Sequence, residues 1–195
     1  MPDSRYTVRA LDETTWPAFA TLVEHNNGVF GGCWCMGFHP EGVGKGTSAA
    51  LNRERKLARV RAGTAHAALV FDGEECLGWC QFGAPDELPR IKNLRAYRDG
   101  PTELPTWRIT CFFVDRDHRR SGVAREALDG ALDLIAQAGG GEVVSFPNEL
   151  EPGKRTSSSF LHNGTRAMFE KAGFTFERHI GKSKTVMRKT IPAAH

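Results

Sequence analysis

The stretch "FFVDRDHRRSGVAREAL", residues 112–128, joins the end of an apolar run to the start of an amphipathic pattern. The apolar run 107–114 predicts a strand, and the spacing of apolar residues after Gly122 predicts a helix. Basic side chains crowd the turn between them: Arg116, His118, Arg119 and Arg120. The first amide groups of a helix lack internal partners and carry partial positive charge. The junction therefore predicts a phosphate or pyrophosphate site, with a solvated basic turn as the alternative.

The same junction organises the rest of the chain. A second apolar strand at 142–146 follows the helix, which predicts a β-α-β unit with two parallel strands and a right-handed crossover. The other predicted strands occupy residues 6–11, 65–71, 76–82, 174–180 and 183–191. The other predicted helices occupy residues 13–27, 48–63 and 160–173, and a loop without clear periodicity covers 83–106. This mixture of strands and helices indicates an α/β domain.

Length and composition limit the class of protein. The 195 residues predict a single domain, residues 1–195, because domains usually hold roughly 100–200 residues. The net charge of +3 favours an anionic small molecule over nucleic acid as the partner. The sequence has neither an apolar run of about 18 residues nor an apolar N-terminal signal, so we expect a cytoplasmic protein without a membrane partner. In that reducing compartment the five cysteines are expected to be thiols.

Two motifs carry a resemblance to a known family. Arg119-x-x-Gly122-x-Ala124 follows a strand that ends at Val114, and "MFEKAGF" stands at 168–174. In this order of elements, the motifs resemble the acyl-coenzyme-A loop and the second recurring segment of the GNAT acyltransferase superfamily. The resemblance implies an α/β GNAT acyltransferase fold, with a mixed, mostly antiparallel central sheet, a parallel splayed strand pair and flanking helices.

The resemblance also implies a donor and a reaction. Acetyl-CoA would give its acetyl group to an amine by direct transfer in a ternary complex. The pyrophosphate would lie on the amides of residues 119–124, and the pantetheine arm between the strands 107–114 and 142–146. The donor-binding residues implied in this way are Phe112, Phe113, Val114, Arg119, Arg120, Ser121, Gly122, Val123 and Ala124.

The chain departs from the family pattern at its catalytic positions. Many members protonate the departing thiolate with a tyrosine where this chain has Phe169, and the strand 107–114 carries no carboxylate base. His162 and Ser159 are the nearest candidate acids in the sequence, with a packed or surface helix histidine as the alternative for His162. The thiolate of a thiol with a pKa of about 8.5 can also leave unaided. A non-catalytic acyl-CoA-binding or regulatory module is the third interpretation.

The glycine-rich loop 28–46 predicts the acceptor site. Large apolar side chains of this loop, and one on the following hairpin, either wall a pocket or fill the core: Phe30, Trp34, Met36, Phe38 and Trp79. We expect a pocket wall, and hence a small-molecule amine acceptor with aromatic or aliphatic bulk, although a protein amino group stays an alternative. Cys33, Cys35 and His39 give three of the four ligands of a structural zinc site, so no metal is expected.

Four other segments allow two interpretations each. The basic residues 53–61 form a solvated helix face or, less favoured, a nucleic-acid contact. The polar loop 147–159 gates the slot between the parallel strands or recognises the acceptor, or it simply connects two elements. Cys111, on a central strand, belongs to the core or acts as an acyl-enzyme nucleophile. The closing hairpin offers an edge strand, so a homodimer is one option beside a monomer.

Overall fold

The computed structural model describes residues 5–100, 103–150 and 160–194. The strands are β1 Thr7–Ala10, β2 His66–Asp72, β3 Glu75–Gly83, β4 Trp107–Val114, β5 Gly141–Ser145, β6 Thr175–His179 and β7 Thr185–Ile191. The helices are α1 Trp16–His25, α2 Ala49–Arg61, α3 Leu94–Arg98, α4 Val123–Gln137 and α5 Arg166–Lys171, with 3₁₀ turns at Arg116–His118 and Phe160–Asn163. None of the helices within these ranges has both the length and the hydropathy of a transmembrane span.

The β4–α4–β5 unit lies in the middle of a sheet whose strand order, in the described residues, is β1-β2-β3-β4-β5-β7-β6. β4 and β5 run parallel, and the other neighbouring pairs are antiparallel. This confirms the mixed, mostly antiparallel sheet with one parallel pair. The predicted order of elements differs in one respect, because the short helix α3 lies in the stretch predicted to be loop.

β4 and β5 part in the middle of the sheet. Their pairing ends at Ile109 and Ser145, while β4 continues to Val114. Beyond that point β5 has ended, and a slot lies between the free part of β4 and the turn Phe160–Asn163, whose Asn163 amide donates to the Thr110 carbonyl. Ligands of α/β proteins commonly bind where parallel strands part at their carboxyl ends.

A β-bulge marks the same point on the other edge of β4. Gln81 of β3 faces Cys111, and the next pair skips Thr110, which is therefore the extra residue. The Thr110 hydroxyl accepts a hydrogen bond from Gln81 Nε2 at 3.1 Å, and Cys111 packs into the core cluster on the side of α1 and α2. The bulge thus places two consecutive side chains on one face of the sheet, where regular alternation would separate them.

Two helical layers cover the sheet. α4 packs across β2 and β3 and buries residues such as Ala127, Leu128 and Ile135 against one face. α1 and the loop after it bury Phe19, Trp34 and other apolar residues against the opposite face. The slot along the free part of β4 therefore opens between two well-packed cores, which hold its walls in place.

The predicted helix 160–173 is wrong as a single element. Gly164 adopts φ +74°, a left-handed conformation that ends a helical segment, and splits the stretch into a 3₁₀ turn and α5. Thr165 then caps α5 by accepting a hydrogen bond from the Met168 amide at 3.3 Å. His162 consequently lies in the turn before α5, on a different element from Phe169.

The basic helix α2 does not expose all of its basic side chains, as a solvated helix face would. Ser48 caps its start as predicted, accepting from the Leu51 amide at 3.1 Å. Most of its cationic side chains are on the exposed or half-buried side, but Lys56 is only 1% exposed and points into the protein. A buried lysine needs polar partners, and those partners lie beneath the candidate active site.

Candidate active site

A cavity of about 600 Å³ lies along the free part of β4 and the start of α4. Its volume is in the range of small-molecule sites. The residues around it are Phe30, Phe112, Phe113, Val114, His118, Arg119, Arg120, Gly122, Val123, Ala124, Arg125, Leu161, Gly164, Thr165 and Met168. We call it the donor cavity, after the prediction from the sequence that the turn 119–124 binds the acyl donor. One end is apolar and lies in the slot, and the other end is cationic and lies at the turn before α4.

The turn before α4 provides backbone donors. Gly122 adopts φ +94° and precedes the first residue of the helix. The amides of Gly122, Val123 and Ala124 make no hydrogen bond within the described residues, whereas the Arg125 amide already bonds to the Gly122 carbonyl at 2.9 Å. Free amides at a helix start, with arginine side chains beside them, are suited to phosphate oxygens. These residues therefore fit the pyrophosphate of coenzyme A.

Most of the residues predicted to bind the donor line this cavity. Of the nine residues implied by the family resemblance, eight line the cavity, and Ser121 does not. The Ser121 hydroxyl donates to the His118 carbonyl, and the Ser121 carbonyl accepts from the Tyr6 hydroxyl at 3.4 Å, so this residue closes the turn. Arg125, one helical residue beyond the motif, lines the cavity and was missed.

A second cavity, of about 370 Å³, lies on the other side of Phe30. We call it the acceptor cavity, after the prediction from the sequence that the loop 28–46 walls an acceptor site. The residues around it are Phe30, Cys33, Gly37, Phe38, Val43, Arg90, Ile91, Lys92, Cys111 and His162. The Phe30 ring lies 6.0 Å from that of Phe113 and 5.9 Å from that of His162, measured between centroids. The two cavities therefore meet at this aromatic group, next to the bulge of β4.

The prediction of the pocket wall is partly wrong. Phe30 and Phe38 line the acceptor cavity, whereas Trp34, Met36 and Trp79 are 2%, 0% and 0% exposed and line neither cavity. Trp34 stacks on Trp16 of α1 at 5.9 Å, and the others belong to the same core cluster. These three side chains fill the core, which is the alternative that the sequence left open.

The loop that supplies this wall is held in uncommon backbone conformations. Its non-glycine residues with left-handed φ are Asn27, Val29, Phe30, Trp34 and Cys35. Left-handed φ is costly for such side chains, above all for β-branched valine, so packing must impose it. The turns direct Trp34 into the core and leave Phe30 41% exposed between the two cavities. Strain of this kind is typical of functional loops.

Of the two candidate acids, the structure describes the surroundings of His162 only. The half-buried His162 lies at the meeting point of the cavities, with the ring of Phe38 6.0 Å away. Ser159 falls outside the described residues, as does most of the loop 147–159. Phe169 is fully buried, with its ring between those of Phe112 and Phe174 at 6.0 and 4.9 Å. His162 is thus the one predicted catalytic residue in the described structure that lines a cavity: it lines the acceptor cavity, beside Phe30, which lines both.

Asn163 connects the bulge of β4 to a buried lysine. Its amide nitrogen donates to the Thr110 carbonyl, and its amide oxygen accepts from Lys184 Nζ. Burial, assisted by the positive charge of Lys92, lowers the pKa of Lys184 to about 7. Lys92, the charged group that adds to the effect of burial, lines the acceptor cavity.

The depressed pKa of Lys184 makes stability depend on pH. The folded form loses its proton near pH 7 and the unfolded form near pH 10.5, so the folded protein binds fewer protons between these values. We expect the free energy of unfolding to rise with pH over this window, by up to about 5 kcal/mol relative to Lys184→Met. Urea unfolding of both proteins from pH 6.5 to 10 measures this difference.

Lys182→Met is the matched control, because Lys182 is exposed two residues away on the same segment. Its stability should follow the pH dependence of the unmodified protein. Parallel pH dependence in the unmodified protein and Lys184→Met would show that Lys184 keeps an ordinary pKa in the folded state.

A polar network lies beneath the acceptor cavity. Lys56 Nζ donates to Gln81 Oε1 at 2.8 Å and to His39 Nε2 at 3.0 Å. Burial and the charge of Lys56 lower the pKa of His39 to about 2, so the ring is neutral and its Nδ1–H donates to the Glu87 carbonyl at 3.2 Å. Through Gln81 the network reaches the Thr110 hydroxyl, so the buried lysine supports the bulge of β4.

The cysteines of the loop do not form a metal site in the described structure. Cys33 faces the acceptor cavity, and Cys35 is buried in the core cluster that also holds Cys111. Burial opposes ionisation of Cys35, but the neighbouring Cys111 thiol and the charge of Lys56 outweigh it and lower the pKa of the Cys35 thiol. Both ring nitrogens of His39 are already engaged, and within the described ranges no three His, Cys, Asp or Glu side chains are arranged to hold a metal.

The sequence matches the model of the Acetyltransferase (GNAT) family over residues 34–174. No curated protein sequence matches significantly. Among solved structures, a GNAT-family protein from Desulfovibrio desulfuricans superposes with a TM-score of 0.54 and 17% identity, covering 95% of this chain and 99% of that one.

Two other solved structures are similar to the same degree. YncA from Salmonella typhimurium, solved with its cofactor acetyl-CoA, has a TM-score of 0.53 and 14% identity, over 96% of this chain and 95% of its own. The ribosomal-protein-S5-alanine acetyltransferase from Vibrio fischeri has a TM-score of 0.53 and 12% identity, over 98% and 96%. At such identities the structural similarity shows the shared fold.

Proposed function

Because the chain belongs to the GNAT acetyltransferase family, we propose that it transfers the acetyl group of acetyl-CoA directly to a small-molecule amine bound in the acceptor cavity. One observation carries this proposal. The donor and acceptor cavities open on opposite sides of Phe30 and meet beside the bulge of β4. Two substrates bound in this way can react without an intermediate carrier, because proximity replaces a covalent relay.

Residues of the turn before α4 bind the donor in this proposal. The amides of Gly122 to Ala124 hold the pyrophosphate, and Arg119, Arg120 and Arg125 neutralise its charge. The free part of β4, Phe112 to Val114, lies along the pantetheine arm. When bound, acetyl-CoA supplies a thioester whose acyl carbon is open to attack by an amine.

The acceptor cavity supports a small amine over a protein amino group. The cavity is bounded by two loops that are tied together, since the Arg90 amide donates to the Phe38 carbonyl at 3.2 Å. The Vibrio fischeri enzyme, which shares the fold, is named for acetylating a ribosomal protein, so the protein acceptor is the competing hypothesis. At about 370 Å³ the cavity is near the lower end of small-ligand sites.

A panel of acceptors tests this proposal. Release of coenzyme A is followed by chromatography with free amines and with N-terminal peptides as acceptors, at saturating acetyl-CoA. We expect free amines to accelerate release and to yield one N-acetyl product per coenzyme A. Acceleration by peptides alone would favour the protein acceptor, and binding of acetyl-CoA without acceleration by any amine would favour the non-catalytic module.

His162 is the proposed source of the proton for the departing thiolate. It lies where the cavities meet, and within the described residues no tyrosine or carboxylate lines either one. We expect His162→Gln to lower kcat by about a hundredfold, a typical size for lost acid catalysis, with unchanged acetyl-CoA affinity. A steady-state pH profile measures this, because a general acid stops working once it is deprotonated, and the fall of kcat toward high pH should disappear in the variant. An unchanged kcat would mean that the thiolate leaves unaided.

A further inference from the structure

The acceptor cavity has an uneven distribution of charge. One wall carries Arg90 and Lys92, and no aspartate or glutamate lines the cavity within the described residues. Lys184 lies behind the same wall and Lys56 beneath the floor, both buried. The lowered pKa of Lys184 reflects, after burial, the charge of Lys92. A ligand in this cavity therefore meets a positive potential.

Arg90 is held in place across the cavity. Its Nε donates to the Pro40 carbonyl at 3.0 Å, and the guanidinium lies against Gly42, where an added Cβ would come within 2.8 Å. Neither Arg90 nor Lys92 forms an ion pair within the described residues, whereas Arg53 and Arg59 of α2 pair with Glu24 and Glu41. An oriented guanidinium without a carboxylate partner is suited to bind an oxyanion from a ligand.

The rest of the cavity is apolar. Phe30 and Val43 are among the few large apolar side chains that are exposed in the described structure, at 41% and 45%, and both line this cavity. Phe38 and Ile91 continue the same surface. The cavity thus offers an apolar surface, a cationic wall and, at His162, the meeting point with the donor cavity.

We propose that the acceptor is a small amine that also carries a carboxylate, namely an amino acid with an apolar side chain or a close analogue, and that Arg90 and Lys92 bind this carboxylate. This inference rests on the proposed transfer to a small amine. The apolar side chain covers Phe30 and Val43, and the amine points to the meeting point of the cavities. The positive potential also disfavours a second positive charge, so the amine is more easily held in its neutral, nucleophilic form.

Paired acceptors test the inference with the whole chain. L-phenylalanine is compared with phenethylamine, and L-leucine with isoamylamine, so that each pair differs only in the carboxylate. Coenzyme A release and the N-acetyl product are quantified by chromatography. We expect kcat/KM to be at least about tenfold higher for the amino acid of each pair, because a site built for a charged group rejects the analogue that lacks it.

Charge reversal tests the assigned residues. The double variant Arg90→Glu/Lys92→Glu should invert the preference, raising kcat/KM for phenethylamine above that for phenylalanine, with acetyl-CoA affinity unchanged. Arg95→Glu, an exposed position on α3 that lines neither cavity, is the control and should keep the original preference. Gain of activity toward the cationic amine cannot result from unfolding.

The remaining results separate a failure of this inference from a failure of the proposed function. Equal or faster turnover of the decarboxylated amines by the unmodified protein would overturn the inference and leave the proposed function standing. The same holds for an unchanged preference in the double variant. Turnover of peptides alone, or of no amine in the presence of bound acetyl-CoA, would overturn both.

Discussion

Replacing Gly122 with glutamate is expected to weaken acetyl-CoA binding by about a hundredfold or more. Gly122 adopts φ +94°, where other residues are strained, and its amide is one of three at the start of α4 that bond to none of the described residues. The new carboxylate would also stand where the pyrophosphate binds and repel it. Such a loss equals about 2.7 kcal/mol of binding free energy, and calorimetric titration measures it directly.

Gly139→Glu is a close control for this experiment. Gly139 follows the other end of α4 and has φ +102°, and an added Cβ would meet no atom within 4 Å there, as at Gly122. The two variants therefore share the charge change, the backbone strain and the helix. We expect Gly139→Glu to bind acetyl-CoA as the unmodified protein does. Equal affinities in both variants would place the pyrophosphate elsewhere.

Truncating the side chain of Phe169 is expected to lower the free energy of unfolding strongly. The side chain is fully buried and packs edge-to-face against Phe112 and Phe174. Removal of a buried phenylalanine ring costs about 3–5 kcal/mol, through lost burial and the cavity that remains. Thermal and urea unfolding of Phe169→Ala should show this decrease in the free energy of unfolding.

Phe176→Ala is the comparison for Phe169, because Phe176 is only partly buried on the strand β6 at the sheet edge. Its loss of stability should be clearly smaller. If both truncations cost the same, the ring of Phe169 would not be enclosed as described. Since Phe112 also lines the donor cavity, Phe169→Ala should in addition weaken acetyl-CoA binding modestly.

The parts of the fold that local sequence determines were predicted well. β4 and α4 carry long, periodic apolar patterns, and the turn between them has its glycine at the position that requires a left-handed φ. For the same reason one side of the donor cavity could be predicted, because ten of its lining residues come from the stretch 112–125, while Phe30 and the residues 161–168 come from elsewhere in the chain. A single domain over residues 1–195, a cytoplasmic location and a homodimer stay predictions.

The acceptor cavity was harder to predict because distant segments form it. In the sequence, Trp34 and Met36 are large apolar residues of the same glycine-rich loop as Phe30 and Phe38. The left-handed turns of the loop decide which of these side chains point into the core. Arg90 and Lys92 lie in a loop that shows no periodicity. Their place in the cavity follows from tertiary contacts alone.

The burial of two lysines could not be predicted from the sequence either. Lys56 stands in a run of basic residues, and such runs usually face solvent. Its burial depends on His39 and Gln81, which come from other elements. Lys184 likewise bonds to Asn163 because the helical segment ends at Gly164, which leaves Asn163 in the turn beside β4.

A crystal structure of the protein with acetyl-CoA tests the central claim most directly. We expect the pyrophosphate on the amides of residues 122–124, the pantetheine arm along the free part of β4, and the acetyl group beside Phe30, facing the acceptor cavity. Acetyl-CoA bound with its acetyl group away from Phe30, or outside the donor cavity, would contradict the account.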